Sequence, residues 1–183
     1  MMLFWEQGYE STSLNDIVKA TGVSRYGLYD AFESKKGLYL ATLKRYHQQI
    51  LSTEMSSIPR ADATVKDARI ILDNLIEMHK DGMEHGCMFC NAANEVAPND
   101  EDVAQLVQEC FMQVKEYFAV AVQNTVDAKA LPQDTDVETV AVMLLALMQG
   151  GATFIRVGMP LDMISQHMHS ALDILIPVLQ PSP

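Results

Sequence analysis

The stretch STSLNDIVKATGVSRYGLYDAFESKKGLY, residues 11–39, holds two short helical patterns separated by only Gly22, Val23 and Ser24. Ser13 is placed to N-cap the first, whose inner face is Leu14, Ile17 and Val18, and Gly22 to end it in the left-handed conformation. Ser24 caps the second almost at once. Val23 before that cap and Leu28 at the fourth helical position make a hydrophobic staple, which sets the angle between the two helices. The product is a helix-turn-helix.

On the second of these helices Leu28, Ala31 and Phe32 share a narrow arc, which leaves Arg25, Tyr26, Tyr29 and Asp30 outside. Arg25 stands at the helix start, where a guanidinium can reach guanine O6 and N7 in a major groove. Gly27 costs about 1 kcal/mol relative to Ala in a helix interior. A bare backbone there serves either close approach to a groove wall or phosphate, or packing against the neighbouring helix. Next, Lys35 and Lys36 open a further helix behind the cap Ser34, at the end where the macrodipole disfavours positive charge. Free backbone N–H groups and two ammonium groups together make an anion site, so a DNA phosphate resolves the conflict.

The charge balance divides the chain. A formal net charge of −11 argues against a nucleic-acid partner. Residues 1–57, however, carry six basic and six acidic residues that cancel, so the remainder holds the whole excess. Two modules with different partners are expected, the acidic one excluded from DNA. Three cysteines without a signal peptide fit a reducing cytoplasm.

Helical spacing runs through the chain and strand-like alternation does not, so the fold class is all-α, with about nine helices. Gly8, Gly86, Pro98-Asn99, Leu131-Pro132 and Gly158-Met159-Pro160 mark boundaries. The expected domains are a helix-turn-helix unit over 1–46, its first helix cut short, and a larger helical unit over 47–183. Near the end, TVAVMLLALMQGGATFI (139–155) is apolar all round, but Gln149 and Gly150-Gly151 interrupt it, so a membrane span is not expected. The last helix also carries apolar residues on two faces, among them Leu161, Ile164, Met168, Leu172 and Ile174. Two consecutive helices with surplus apolar surface point to a homodimer in which each partner contributes the same pair.

At LFWEQGYESTSLNDIVKATGVSRYGLYDAFESKKGLYLATL the chain resembles the TetR family of one-component bacterial transcription regulators. The pattern F-x-x-x-G-Y, T-S/T-(x)₃-I, A-x-G-V-S, L-Y-x-x-F and S-K-x-x-L falls in family order over about the first 45 residues. The resemblance implies a DNA-binding regulator, most simply a repressor, that leaves a pseudo-palindromic double-stranded operator when a small-molecule inducer enters the larger domain. It also implies dimerisation through the last two helices. Carried over by position, phosphate contact falls on Ser13, with Asn15 reaching base or backbone, and recognition-helix contacts fall on Arg25, Tyr26, Gly27, Tyr29 and Asp30. Lys35 takes the phosphate-binding lysine's place, with Lys36 beside it. Asp30-Ala31 stands where the family more often has aromatic or histidine residues, so Asp30 either accepts from cytosine N4 or repels phosphate. The segment HGCMFCNAANEVAPNDEDV, residues 85–103, resembles a G-C-x-x-x-N-x-x-x-E motif of one subgroup.

His85, Cys87 and Cys90 form H-x-C-x-x-C, but four zinc ligands are not supplied, and no metal or cofactor is expected. Most simply the cysteines pack. Alternatively Cys87, near a helix start where the dipole lowers a thiol pKa, senses oxidants or electrophiles. Met78, Met83, Phe89, Phe111, Met112, Met143 and Phe154 are candidates to line an inducer cavity between central helices. No paired carboxylates, nucleophile with base, or phosphate loop stands at recognisable spacing, so an enzyme is not expected. A helical protein-interaction module that no longer binds DNA is the remaining rival.

Overall fold

The capping residues of the opening stretch act as their positions demand. In a computed structural model, which describes residues 1–53, 61–80 and 85–176 and the side chains of these except 50–53, Ser13 and Asp16 form a reciprocal capping box at α2 (Leu14–Thr21). Gly22 ends that helix with φ 70°, and Ser24 Oγ accepts from Gly27 N at 3.1 Å to start α3 (Arg25–Phe32). Before them lies α1 (Met2–Gln7); after them comes α4 (Lys35–Thr53), whose first turn is capped by Ser34 Oγ accepting from Gly37 N at 3.0 Å. Leu28 is buried and Val23 is 43% exposed, with a Val23 methyl over the bare backbone of Gly27, 3.2 Å from where a Cβ would stand.

The larger part comprises α5 (Val65–Glu77), α6 (Met88–Glu95), a 3₁₀ turn (Ala97–Asn99), α7 (Glu101–Asp127), α8 (Val137–Arg156) and α9 (Leu161–Leu175). The fold is all-α, with nine α-helices and no strand among the described residues. Asp100 caps α7 through Val103 N, and Asp136 caps α8 through Thr139 N, as carboxylates at helix starts should.

Two apolar cores result. One gathers α5, α7, α8 and α9 around Leu72, Phe118, Leu144, Ile155, Ile164 and Leu172. Phe118 is fully buried, and truncating such a side chain to Ala costs about 3–5 kcal/mol. The other core joins Phe4, Trp5, Ile17, Leu28, Tyr39, Leu43 and Tyr46 to Met88, Phe89, Ala92, Val103, Val107 and Cys110. The helix-turn-helix therefore shares its interior with α6 and α7, and α4 runs unbroken past residue 46, the expected division.

Helix α8 has surplus apolar surface. It buries Ala141, Leu144, Gly151, Ala152 and Ile155 on one side, while Val142, Met143 and Phe154 lie exposed, as do Val157 just past its end and Ile174 on α9. By length and composition alone, α8 is long and apolar enough to cross a membrane.

Candidate nucleic-acid interface and the cavity behind it

Helix α3 presents a row of side chains to solvent. Tyr26 is 81% exposed, Tyr29 49%, and Arg25 and Asp30 are exposed beside them; Gly27 is half-buried under Val23. Arg25 Nη2 donates to Asn15 Oδ1 at 2.7 Å, so the residue on α2 holds the guanidinium of α3 in place. Ser13 is exposed, yet its hydroxyl is engaged with Asp16 Oδ2 while accepting from Asp16 N at 3.2 Å. That hydrogen must turn away from Asp16 before it can meet a phosphate.

The two lysines part company. Lys35 Nζ sits 4.3 Å over the Tyr9 ring and 3.5 Å from Glu10 O, and the residue is half-buried. Lys36 instead bridges Asp100 Oδ2 at 2.8 Å and Asp102 Oδ2 at 2.7 Å, at the start of α7. These bonds raise the Lys36 pKa and lower that of Asp100. A lysine with two carboxylates on it has its charge answered within the chain, so Lys36 ties the start of α4 to the start of α7.

Further ties join the same units. Trp5 Nε1 donates to Gly86 O at 2.9 Å. Arg156, at the end of α8, donates to Trp5 O at 3.1 Å and Glu6 O at 3.0 Å, where a cation suits the carbonyl end of α1. At the far end of α6, Glu95 accepts from Tyr9 N at 3.0 Å and Glu10 N at 2.9 Å. Gly8 permits that approach: its φ is 85°, and a Cβ there would stand 2.8 Å from Glu95 Oε2. Both ends of α6 are thus fastened to the helix-turn-helix.

Behind α6 lies a mainly apolar cavity lined by residues of α4 to α8. Met78, Phe89 and Phe111 line it as expected from sequence. Met112, Met143 and Phe154 do not: they are 58%, 45% and 46% exposed, because they fall on the outward faces of α7 and α8. Met83 lies outside the described residues. Residues the sequence did not single out complete the wall, notably Tyr46, His47, Met148 and Gln149, with His79. Cys87 occupies the N-cap position of α6 on this wall without a side-chain cap hydrogen bond, Cys90 and Cys110 are buried nearby, and all three are free thiols. Among the described residues no group of three or more His, Cys, Asp or Glu could hold a metal ion.

Comparison with known proteins gives two family matches. Residues 1–42 match bacterial regulatory proteins of the tetR family, and residues 68–168 match the tetracyclin repressor-like C-terminal domain. The chain is 30% identical over 174 residues to the HTH-type transcriptional repressor ComR of Escherichia coli, covering 91% of this chain and 80% of that one. It is 28% identical over 177 residues to the uncharacterized HTH-type transcriptional regulator YezE of Bacillus subtilis, covering 94% and 90%. Its fold matches a TetR family regulator from Cytophaga hutchinsonii with TM-score 0.81, at 20% identity over 99% and 90% of the chains. It also matches a cysteine mutant of the TetR family regulator CifR complexed with 26-bp operator DNA, with TM-score 0.80, at 23% identity over 92% and 88%.

Proposed function

The chain belongs to the TetR family of bacterial transcription regulators, and we propose that it is a cytoplasmic homodimeric repressor released from its operator by a small molecule. Its relatives include repressors, and one similar structure was captured on operator DNA. The residues proposed to meet DNA are Arg25, Tyr26, Gly27, Tyr29 and Asp30 on α3, Asn15 and Ser13 at α2, and Lys35. The helix-turn-helix over 1–46 is proposed as the DNA-binding unit and 47–183 as the unit for ligand and partner.

Dimerisation through α8 and α9 is supported by the exposed Val142, Met143, Phe154 and Ile174, and by Gly150, which has open space where a side chain would stand. A stable interface buries about 800 Å² per partner, and two adjoining apolar helices supply such a face. Two α3 helices then address successive major grooves about 34 to 36 Å apart.

The observation that carries the reading is the fastening of α6 at both ends, by Gly86 to Trp5 and by Glu95 to Tyr9 and Glu10. A ligand in the cavity touches the start of α6, and what displaces α6 displaces the helix-turn-helix with it. A ligand that favours the displaced state lowers operator affinity by its differential binding energy.

Fluorescence anisotropy with DNA flanking the chain's own gene, over a range of salt, tests the proposal. Affinity is expected to fall linearly in log–log form with salt and to weaken in Arg25→Ala. Absence of binding at every salt concentration would overturn it.

A further inference from the structure

Three nitrogen atoms of residues lining the cavity have no hydrogen-bond partner and are cut off from solvent: His47 Nε2, His79 Nε2 and Gln149 Nε2. They come from three places in the fold, His47 from α4, His79 from the turn after α5 and Gln149 from α8. His79 is 2% exposed, and its Nδ1 lies 2.7 Å from Leu75 O in the last turn of α5. A carbonyl only accepts, so Nδ1 carries the ring hydrogen, and in the neutral ring Nε2 is a lone pair that needs a donor. Gln149 Nε2 is the reverse, an N–H that needs an acceptor. Buried polar atoms are ordinarily satisfied, so this wall calls for a donor and an acceptor together.

The remaining wall residues limit what can carry those groups. Among the described residues that line the cavity there is no Asp, Glu, Lys or Arg. A carboxylate or ammonium ligand would enter without a counter-charge, and a buried unpaired ion costs far more than a hydrogen bond returns. Phe89, Phe111 and the thioethers of Met78 and Met148 form an apolar body suited to an aromatic ring, which packs well edge-on to other rings and against sulfur. The His47 ring already stands this way on Phe89, 5.6 Å between centroids and tilted by 75°.

We propose that the cavity binds small uncharged phenols, and that His79 and Gln149 set this specificity. A hydroxyl donates and accepts through a single oxygen. Its hydrogen goes to His79 Nε2 and its oxygen takes the Gln149 N–H, while His47 Nε2, donor or acceptor according to its tautomer, faces the same ligand from α4. A phenol keeps its hydrogen up to about pH 10, so it enters neutral. An arene without the hydroxyl leaves the nitrogens bare, and an aromatic acid brings a charge that no lining residue answers.

The consequence for DNA rests on the regulator reading above. Helix α4 carries His47 at the cavity and, further towards its start, Tyr39 and Leu43 in the core shared with the helix-turn-helix. A phenol held between α4 and α8 therefore bears on the DNA-binding unit through α4 itself.

The test titrates the purified full chain with 4-ethylphenol, ethylbenzene and 4-ethylbenzoate by calorimetry near neutral pH. The phenol is expected to bind about tenfold or more tightly than ethylbenzene, the worth of one hydrogen bond, and the benzoate not detectably. His79→Phe and Gln149→Met should each remove most of the preference for the phenol while ethylbenzene still binds. The preference is a ratio of two ligands on one protein, so a general loosening of the fold does not imitate its loss; Gln149→Met gives the same reading if His79→Phe does not fold. Equal affinity for phenol and ethylbenzene would mean that water satisfies the nitrogens, and overturns the proposal. So do binding of neither, tighter binding of the benzoate, or a preference unchanged in the variants. A chain that selects the phenol through His79 and Gln149 but binds no DNA overturns the regulator reading and leaves the site standing.

Discussion

The indole Nε1 of Trp5 donates to the carbonyl oxygen of Gly86 at 2.9 Å, in a buried bond between residues 81 apart in sequence. Trp5→Phe keeps an aromatic ring in the core but leaves the Gly86 carbonyl without its donor. We expect a loss of about 1–3 kcal/mol in urea unfolding. Ligand-driven release from DNA should weaken too, because α6 and α1 are then less firmly joined. Unchanged stability would show that water replaces the indole.

Gly8 and Glu95 form a second tie that can be tested by a cycle. Gly8→Ala forces a side chain into φ 85° and onto the Glu95 carboxylate, which together should cost about 1–3 kcal/mol. Glu95→Ala removes the collision as well as the acceptor of Tyr9 N and Glu10 N. The double mutant should therefore be less destabilised than the sum of the single ones, read by denaturant midpoints. Strict additivity would argue that the two do not meet.

Lys35 and Lys36 should differ in salt dependence although they are adjacent. Lys35→Ala should weaken binding to all DNA roughly alike and reduce the slope of log affinity against log salt by about 1. Lys36→Ala should leave that slope unchanged, since Asp100 and Asp102 already occupy the ammonium group. Equal slopes in the two variants would contradict the assignment.

Acid should loosen the Lys36 tether with a definite sign. The Lys36 ammonium lowers the Asp100 pKa below its value in the unfolded chain. Its contribution is complete above the ordinary carboxylate range, about pH 4, and fades as pH falls through the depressed value. The stability difference between wild type and Asp100→Asn should accordingly shrink from pH 6 down to about pH 3. A difference that grows on acidification would refute this.

Much of this was legible in the sequence, and the part that was not has a common cause. Ser13, Gly22, Ser24 and Ser34 act on backbone groups within three or four residues, so their positions alone announced the helix-turn-helix. Glu95 and Arg156 act on residues 85 to 151 positions away, and no local pattern marks a carboxylate that will cap another helix's loop. Lys36 is of the same kind: its partners Asp100 and Asp102 lie more than 60 positions away, and no local pattern joins them to it. The cavity candidates divided likewise. Spacing told which residues of α8 are apolar, but Val142, Met143 and Phe154 could be told from Leu144 and Ala152 only once α7 and α9 showed which face is inward.

The most direct measurement is selection of bound duplexes from a random DNA library by the full chain, followed by sequencing, for wild type and Arg25→Ala. The account predicts enrichment of an inverted repeat whose half-sites lie about one helical turn apart, with Arg25→Ala losing preference at one position in each half. Enrichment of no sequence over the starting library, or a motif indifferent to Arg25, would contradict it.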